Sequence, residues 1–212
     1  MTEEKTEGLL LQSIPYLGTQ TILKIFTPEQ GLLSLIVKKG IFQPFCIGEW
    51  VYIEKAQGLY PLKDASIFEY FVELRNNFKT LSSAGKIGRA LLQSQLPGKG
   101  GNLYALAVAY FKKLSQFSHP ETLVSSFLLK LLMHDGLLSL KDTCSECGEK
   151  ASILTQGESF CRKHSSTESI FFSEEEFFLA HQLTFTKTFQ TLQALEISKT
   201  LQDKIEKLFE NR

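Results

Sequence analysis

Cys144, Cys147, Cys161 and His164 are spaced C-x2-C-x13-C-x2-H, two close pairs separated by a short stretch of chain. Each pair can hold one side of a tetrahedral ion from a tight turn, which is the ligand pattern of a structural zinc site. Gly148 follows the first pair, where a residue free to take positive φ lets backbone amides turn toward the thiolates. Three thiolates and an imidazole suit Zn2+, one ion per chain. All four positions would be filled by protein, so no place is left for water or substrate, and the site argues for architecture rather than catalysis. The competing readings are ordinary buried thiols or disulfides. Clustering of three of the four cysteines within 18 positions, with histidine at the matching spacing, favours the metal. Cys46, between Phe45 and Ile47, reads as a small core residue.

Little else in the chain suggests bond chemistry. His119 precedes a proline, His134 lies beside Asp135 at an expected helix C-terminus, and His181 follows Phe177-Phe178 on an expected helix. No G-x-S-x-G, phosphate-binding loop or dinucleotide fingerprint occurs, so the chain is not expected to be an enzyme. Cations could instead track a phosphate backbone. Lys24, Lys38 and Lys39 are candidates in the N-terminal part; Lys86, Arg89, Lys99, Lys112 and Lys113 are candidates further on, with Lys86 and Arg89 on one helical face. Trp50, Tyr52 and Tyr16 offer rings on which bases could stack, although a core role suits mid-strand Trp50 better.

The elements that must position these residues follow from composition and periodicity. The 212 residues are 43% apolar with 17 Phe, enough for a real core, and carry no net charge. Charge is nonetheless uneven: residues 81–140 hold six Lys or Arg against two acids, between mildly acidic flanks. The acidic start without an apolar run, and the lack of a 20-residue apolar stretch, predict a cytoplasmic chain with no membrane span. Five strands are expected, at 7–14, 19–26, 32–38, 45–55 and 59–67, with turns at Pro15–Gly18, Thr27–Gly31 and Gln57-Gly58. Strands this short and this punctuated suggest a small closed barrel of the oligonucleotide-binding type. Beyond Ile67 the period becomes helical. Phe71, Leu74, Phe78 and Leu81 form one stripe, Asn102–Phe117 a second, and the run from Pro120 to a Gly136 cap a third. Ser173 with Glu176 predicts a capping box, and a last helix is expected over 198–209.

The order of barrel, helices, zinc segment and further helices resembles the RecO recombination mediators of bacterial DNA repair. Glu7-Gly8-Leu9-Leu10-Leu11 is similar to that family's opening strand, and Phe26-Thr27-Pro28-Glu29-Gln30-Gly31-Leu32-Leu33 to its first hairpin. Leu35–Gly40 matches the strand that follows, and Gln43-Pro44-Phe45 the start of the fourth. The leucine-rich helix from Leu128, running through Gly136-Leu137 into Cys144-x2-Cys147-Gly148, resembles the junction with the zinc segment. The chain departs from the family's pattern in two places. The basic loop before Gln43 is reduced to Lys38-Lys39-Gly40-Ile41-Phe42, and the last metal ligand is His164 where cysteine is usual.

The expected architecture is therefore α+β: a five-stranded oligonucleotide-binding barrel over 1–80, then an α-helical domain over 81–212 with a zinc module inserted at about 141–170. The resemblance implies a nucleoid-associated, cytoplasmic mediator of the RecF-type pathway that binds single- and double-stranded DNA and anneals it. Its implied partners are RecR and the C-terminal tail of the single-stranded-DNA-binding protein, with which it would help load RecA. An RNA-binding barrel protein and a protein-interaction scaffold with little DNA affinity are the two rival readings.

Overall fold

The computed structural model describes residues 2–38, 40, 42–56, 58–94 and 100–211. The chain divides into two compact units, Met1–Ser115 and Gln116–Arg212.

In the first unit, β1 (Glu3–Tyr16), β2 (Gln20–Thr27), β3 (Gly31–Val37), β4 (Cys46–Ile53) and β5 (Tyr60–Glu69) lie in the order β1-β2-β3-β5-β4 in a closed barrel. The seam that closes it is short: β3 and β5 run parallel and pair only at Leu35↔Tyr60 and Ile36↔Pro61. Strict alternation sends Leu23, Ile25, Leu33, Leu35, Trp50 and Tyr52 into one interior cluster with Leu10 and Cys46. Leu9, Leu10 and Leu11 are all buried because both faces of β1 are covered: Leu10 joins the interior cluster, while Leu9 pairs with Phe26 on the outer face, where Phe26 packs on Tyr104. A register shift between Leu10 and Gln12 marks a bulge in β1 against β2. Burial pushes the Cys46 thiol up to about 11, against a smaller opposing pull from Arg75, so it behaves as the inert core residue expected.

Two local expectations are corrected. Pro15 and Tyr16 continue β1, paired with Thr21 and Gln20, and the turn comes after them. The stripe Phe71–Leu81 is not one helix. Phe71 takes a left-handed backbone (φ 43°), a 3-10 turn spans Val72–Arg75, and Asn77 then caps a new helix by accepting from the Lys79 amide at 2.8 Å. Arg75 fixes the break, donating to the carbonyls of Tyr70 at 2.9 Å and Pro44 at 2.7 Å.

Helices α1 (Phe78–Gln93) and α2 (Gly101–Leu114) pack on the barrel. Gly88 of α1 lies against Phe45; from α2, Phe111 packs on Phe45 with ring centroids 5.3 Å apart, and Tyr104 packs on Phe26 at 5.9 Å. The Tyr104 hydroxyl donates to Glu7 at 2.8 Å, and burial with that carboxylate pushes its ionisation well up. Gly100 sits so close to the β2–β3 turn that a Cβ would lie 2.0 Å from the Thr27 carbonyl oxygen.

The second unit holds α3 (Pro120–His134), the strands β6 (Ile153–Thr155), β7 (Glu158–Phe160) and β8 (Ile170–Phe171), then α4 (Glu174–Phe185), α5 (Phe189–Gln193) and α6 (Lys199–Glu210). The sheet order is β7-β6-β8. Pro120 opens α3 as expected, and beyond Gly136 the Leu137 amide returns to the Leu132 carbonyl at 2.8 Å. Ser173 and Glu176 form the capping box. Ser126 and Lys130, one turn apart on α3, donate to the carbonyls of Leu183 and Thr186 at 2.6 and 2.5 Å, tying the end of α4 to α3.

The fold expected from sequence, a barrel followed by a helical domain with an inserted zinc module, is thereby corrected. Helices α1 and α2 belong to the barrel's unit, because their apolar faces are spent on it, so the division falls after Ser115 rather than at residue 80. The remainder is a mixed unit whose own three-stranded sheet carries the metal-ligand loops.

Candidate metal centre and nucleic-acid interface

The four predicted ligands converge. Cys144 and Cys147 lie on a tight loop closed by the isolated bridge Thr143↔Lys150, by the Cys144 amide donating to Glu149 at 2.7 Å, and by Gly148 donating back to Cys144 at 3.0 Å. Gly148 makes that closure possible with φ 73°. Cys161 follows β7 and leads into the 3-10 turn Arg162–His164, which the His164 amide closes on the Cys161 carbonyl at 3.1 Å. The two loops are held in register by Ser159 of β7, whose carbonyl accepts from Ser145 at 2.9 Å and whose hydroxyl accepts from the Lys141 amide at 2.9 Å.

The four ligand atoms all lie within 4.8 Å of one another. Sulfur bonds of ~2.3 Å and a nitrogen bond of ~2.05 Å give tetrahedral edges of ~3.8 Å between sulfurs and ~3.5 Å from sulfur to nitrogen. The Cys147–Cys161 sulfurs stand 3.7 Å apart, and His164 Nδ1 stands 3.6 and 3.5 Å from the sulfurs of Cys144 and Cys161. A Cys3His cluster capable of coordinating a metal is therefore present, and its donor set fits zinc. Burial works against ionisation of Cys144, but the backbone amides of Cys147, Cys161 and Glu146 and the His164 ring outweigh it and bring the thiol down to about 6. At Cys147 the Glu149 amide favours the thiolate, yet desolvation and the two neighbouring thiols push that group up. Cys144 and Cys161 are buried, whereas Cys147 and His164 face solvent.

The predicted phosphate-contacting residues are placed less coherently. Lys24 is half-buried on the outer face of β2 and donates to Ser34 across the β2–β3 pair at 2.8 Å; Lys38 is exposed just beyond β3. Lys86 is half-buried and Arg89 exposed on α1, while Lys112 and Lys113 occupy the last turn of α2, where cations also complement the helix dipole. Lys39 and Lys99 lie outside the described residues. Trp50 is in the core, its Nε1–H donating to the Gly8 carbonyl at 2.9 Å, and Tyr52 is buried with its hydroxyl on Gln30 at 3.1 Å. Of the three aromatic candidates, Tyr16 alone is exposed.

His134 contacts Asp135 at 3.2 Å, and His181 packs on the Phe185 ring 3.9 Å from Asp142, with no nucleophile in either pair. One feature escaped the sequence: a groove of about 680 Å³ in the second unit, floored by Leu132, Leu154, Ile170 and Leu208, with Lys207 on its rim. Leu137, exposed just past the end of α3, was its available signal. Among the described residues no helix is long and apolar enough to cross a membrane.

Residues 1–71 match the family profile described as "Recombination protein O N terminal". The "DNA repair protein RecO" of Chlamydia trachomatis serovar D is 30% identical over 217 aligned residues, 95% of this chain and 89% of its own length. That of Chlamydia pneumoniae is 29% identical over 220 residues, 96% of this chain and 86% of its own. That of Alkaliphilus metalliredigens is 29% identical over 162 residues, 70% and 64% of the two chains. The similarity runs through both units, and the chain belongs to the RecO family of DNA repair proteins.

Proposed function

We propose that this chain is a recombination mediator that binds and anneals single-stranded DNA and assists RecA loading together with RecR and the single-stranded-DNA-binding protein. The observation that carries the reading is the similarity to RecO proteins along 95% of the chain. No bond is made or broken in that role. Lys24, Lys38, Arg89 and Lys112, with Lys39, Lys86, Lys99 and Lys113, supply the phosphate contacts, and Tyr16 a stacking face. Zn2+ on Cys144, Cys147, Cys161 and His164 holds the two loops of the second unit together. A partner's acidic tail needs an apolar slot beside a cation. The groove floored by Leu132, Leu154, Ile170 and Leu208 with Lys207 at its rim offers both. The working site is the bacterial cytoplasm, at the nucleoid. A scaffolding role with little DNA affinity is the second reading. It is favoured by the zero net charge and by pairing of the barrel cations Lys5 and Lys63 to Glu49 and Glu3.

Titration of labelled single-stranded DNA against salt tests the main reading. Affinity should fall steeply with salt, and Lys24→Ala or Arg89→Ala should each weaken binding and flatten the slope by about 0.7. No binding at low salt would leave only the scaffold, and a clear preference for RNA of the same sequence would point to the RNA reading.

A further inference from the structure

Five of the twelve large apolar side chains exposed among the described residues fall between 68 and 81: Phe68, Tyr70, Val72, Phe78 and Leu81. Phe78 is 83% and Val72 60% exposed. The segment is firmly held, since the 3-10 turn carrying Val72 packs on α1 and Arg75 ties it to Pro44 and Tyr70. Helix formation asks for no aromatic ring at Phe78, because Asn77 already supplies the cap. The solvent side of α1 continues the patch. Phe78, Leu81, Ser82, Gly85 and Arg89 recur there every one to four residues, and Gly85 has open space above it.

The charge on α1 has one sign, whereas Glu69 and Glu73 are exposed beside Phe68, Tyr70 and Val72 at the other end of the segment. Helix α1 contains Lys79, Lys86 and Arg89 and no acid. Among the described residues Lys79 and Arg89 have no ion-pair partner, in contrast to Lys5 and Lys63 on the barrel. On α1 the exposed Phe78 and Leu81 are therefore flanked by the cations Lys79 and Arg89, which fits an apolar surface flanked by acids. Phe68, Tyr70 and Phe78 also offer faces on which bases stack, and the single-stranded-DNA arm of the test separates that occupant.

We infer that the solvent face of α1, extended by Val72, docks an acidic amphipathic segment of a partner protein. Its apolar anchors seat on Phe78 and Leu81 over the open space at Gly85, and its carboxylates meet Lys79 and Arg89. This surface uses none of the residues of the metal centre or of the groove of the second unit; it shares Arg89 with the DNA-binding reading, so its test rests on Phe78 and Lys79.

The test uses the full chain and a fluorescein-labelled synthetic helical peptide with Leu at i, i+4 and i+7 and Glu at the flanking positions. Saturable binding is expected, weakened at least tenfold by Phe78→Ser and several-fold by Lys79→Glu. Replacing the peptide's Glu by Lys should invert the preference, so that Lys79→Glu binds it better than the parent chain does. Phe78 is exposed, so Phe78→Ser should leave the circular dichroism spectrum unchanged. The proposal is overturned if the peptide does not bind, or if it binds Phe78→Ser as well as the parent. It is equally overturned if Phe78→Ser costs as much affinity for single-stranded DNA as for the peptide, or if it dissociates a dimer in sedimentation, which would mark a second copy as the occupant.

Discussion

In the first unit, strands of 7 to 14 residues share a continuous ladder around an apolar interior. The sheet of the second unit has strands of three, three and two residues, too short to hold themselves, with the four metal-ligand side chains on loops beside it. The barrel is thus specified by many weak apolar contacts spread over its strands. The ligand loops are specified by four side chains at one point. Damage should be graded in the first unit and all-or-none around the second unit's loops.

The largest expected effect is therefore at Cys144. Structural zinc contributes about 10–16 kcal/mol of apparent binding free energy in small modules, much of it offset by ordering the loops. Cys144→Ser should abolish stoichiometric zinc in atomic absorption and strip hydrogen-exchange protection from residues 141–171, while β1–β5 stay protected. Retained zinc, or barrel amides that open in parallel, would break the contrast.

Leu23→Ala probes the other side. Leu23 is fully buried in the barrel cluster, and removing its side chain should cost about 2–5 kcal/mol. Exchange in β1–β5 should speed up with zinc content unchanged, and a variant that lost metal in step would show the two units to be one cooperative block.

A smaller effect separates the helical part of the second unit from its ligand loops. The Glu176 carboxylate accepts from the Ser173 amide at 2.8 Å and from Lys204 at 2.5 Å. Burial would raise its ionisation, but those two donors outweigh it and hold it below the ordinary 4.5. Its contribution is then complete above pH 4.5 and is lost as the pH falls through the depressed folded value. Glu176→Gln should cost about 1–2 kcal/mol in urea denaturation near neutral pH and progressively less in acid, with zinc retained throughout.

The same contrast explains what could be read from the chain. The ligand quartet was legible because thiol and imidazole positions are rare and their spacing is dictated by one ion. The five strands were legible from turn residues and alternation, and the Ser173 box and Pro120 start from local capping chemistry. What was missed depends on distant partners. The break at Phe71 is set by Arg75 reaching Pro44, and the end of β1 by the pairing of Pro15 with Thr21. The allegiance of α1 and α2 to the barrel rests on contacts such as Tyr104 with Glu7, 97 positions apart. The cations offered least, since a lysine codes equally for a phosphate contact, a helix terminus or a solvated surface.

The Trp50 indole donates to Gly8 deep inside the barrel, and it is the chain's sole tryptophan. Its fluorescence is therefore a private optical channel of the first unit. Emission should stay blue while the ligand loops are dismantled and shift red only when the barrel opens, so a single cuvette can time the loss of one unit against the survival of the other.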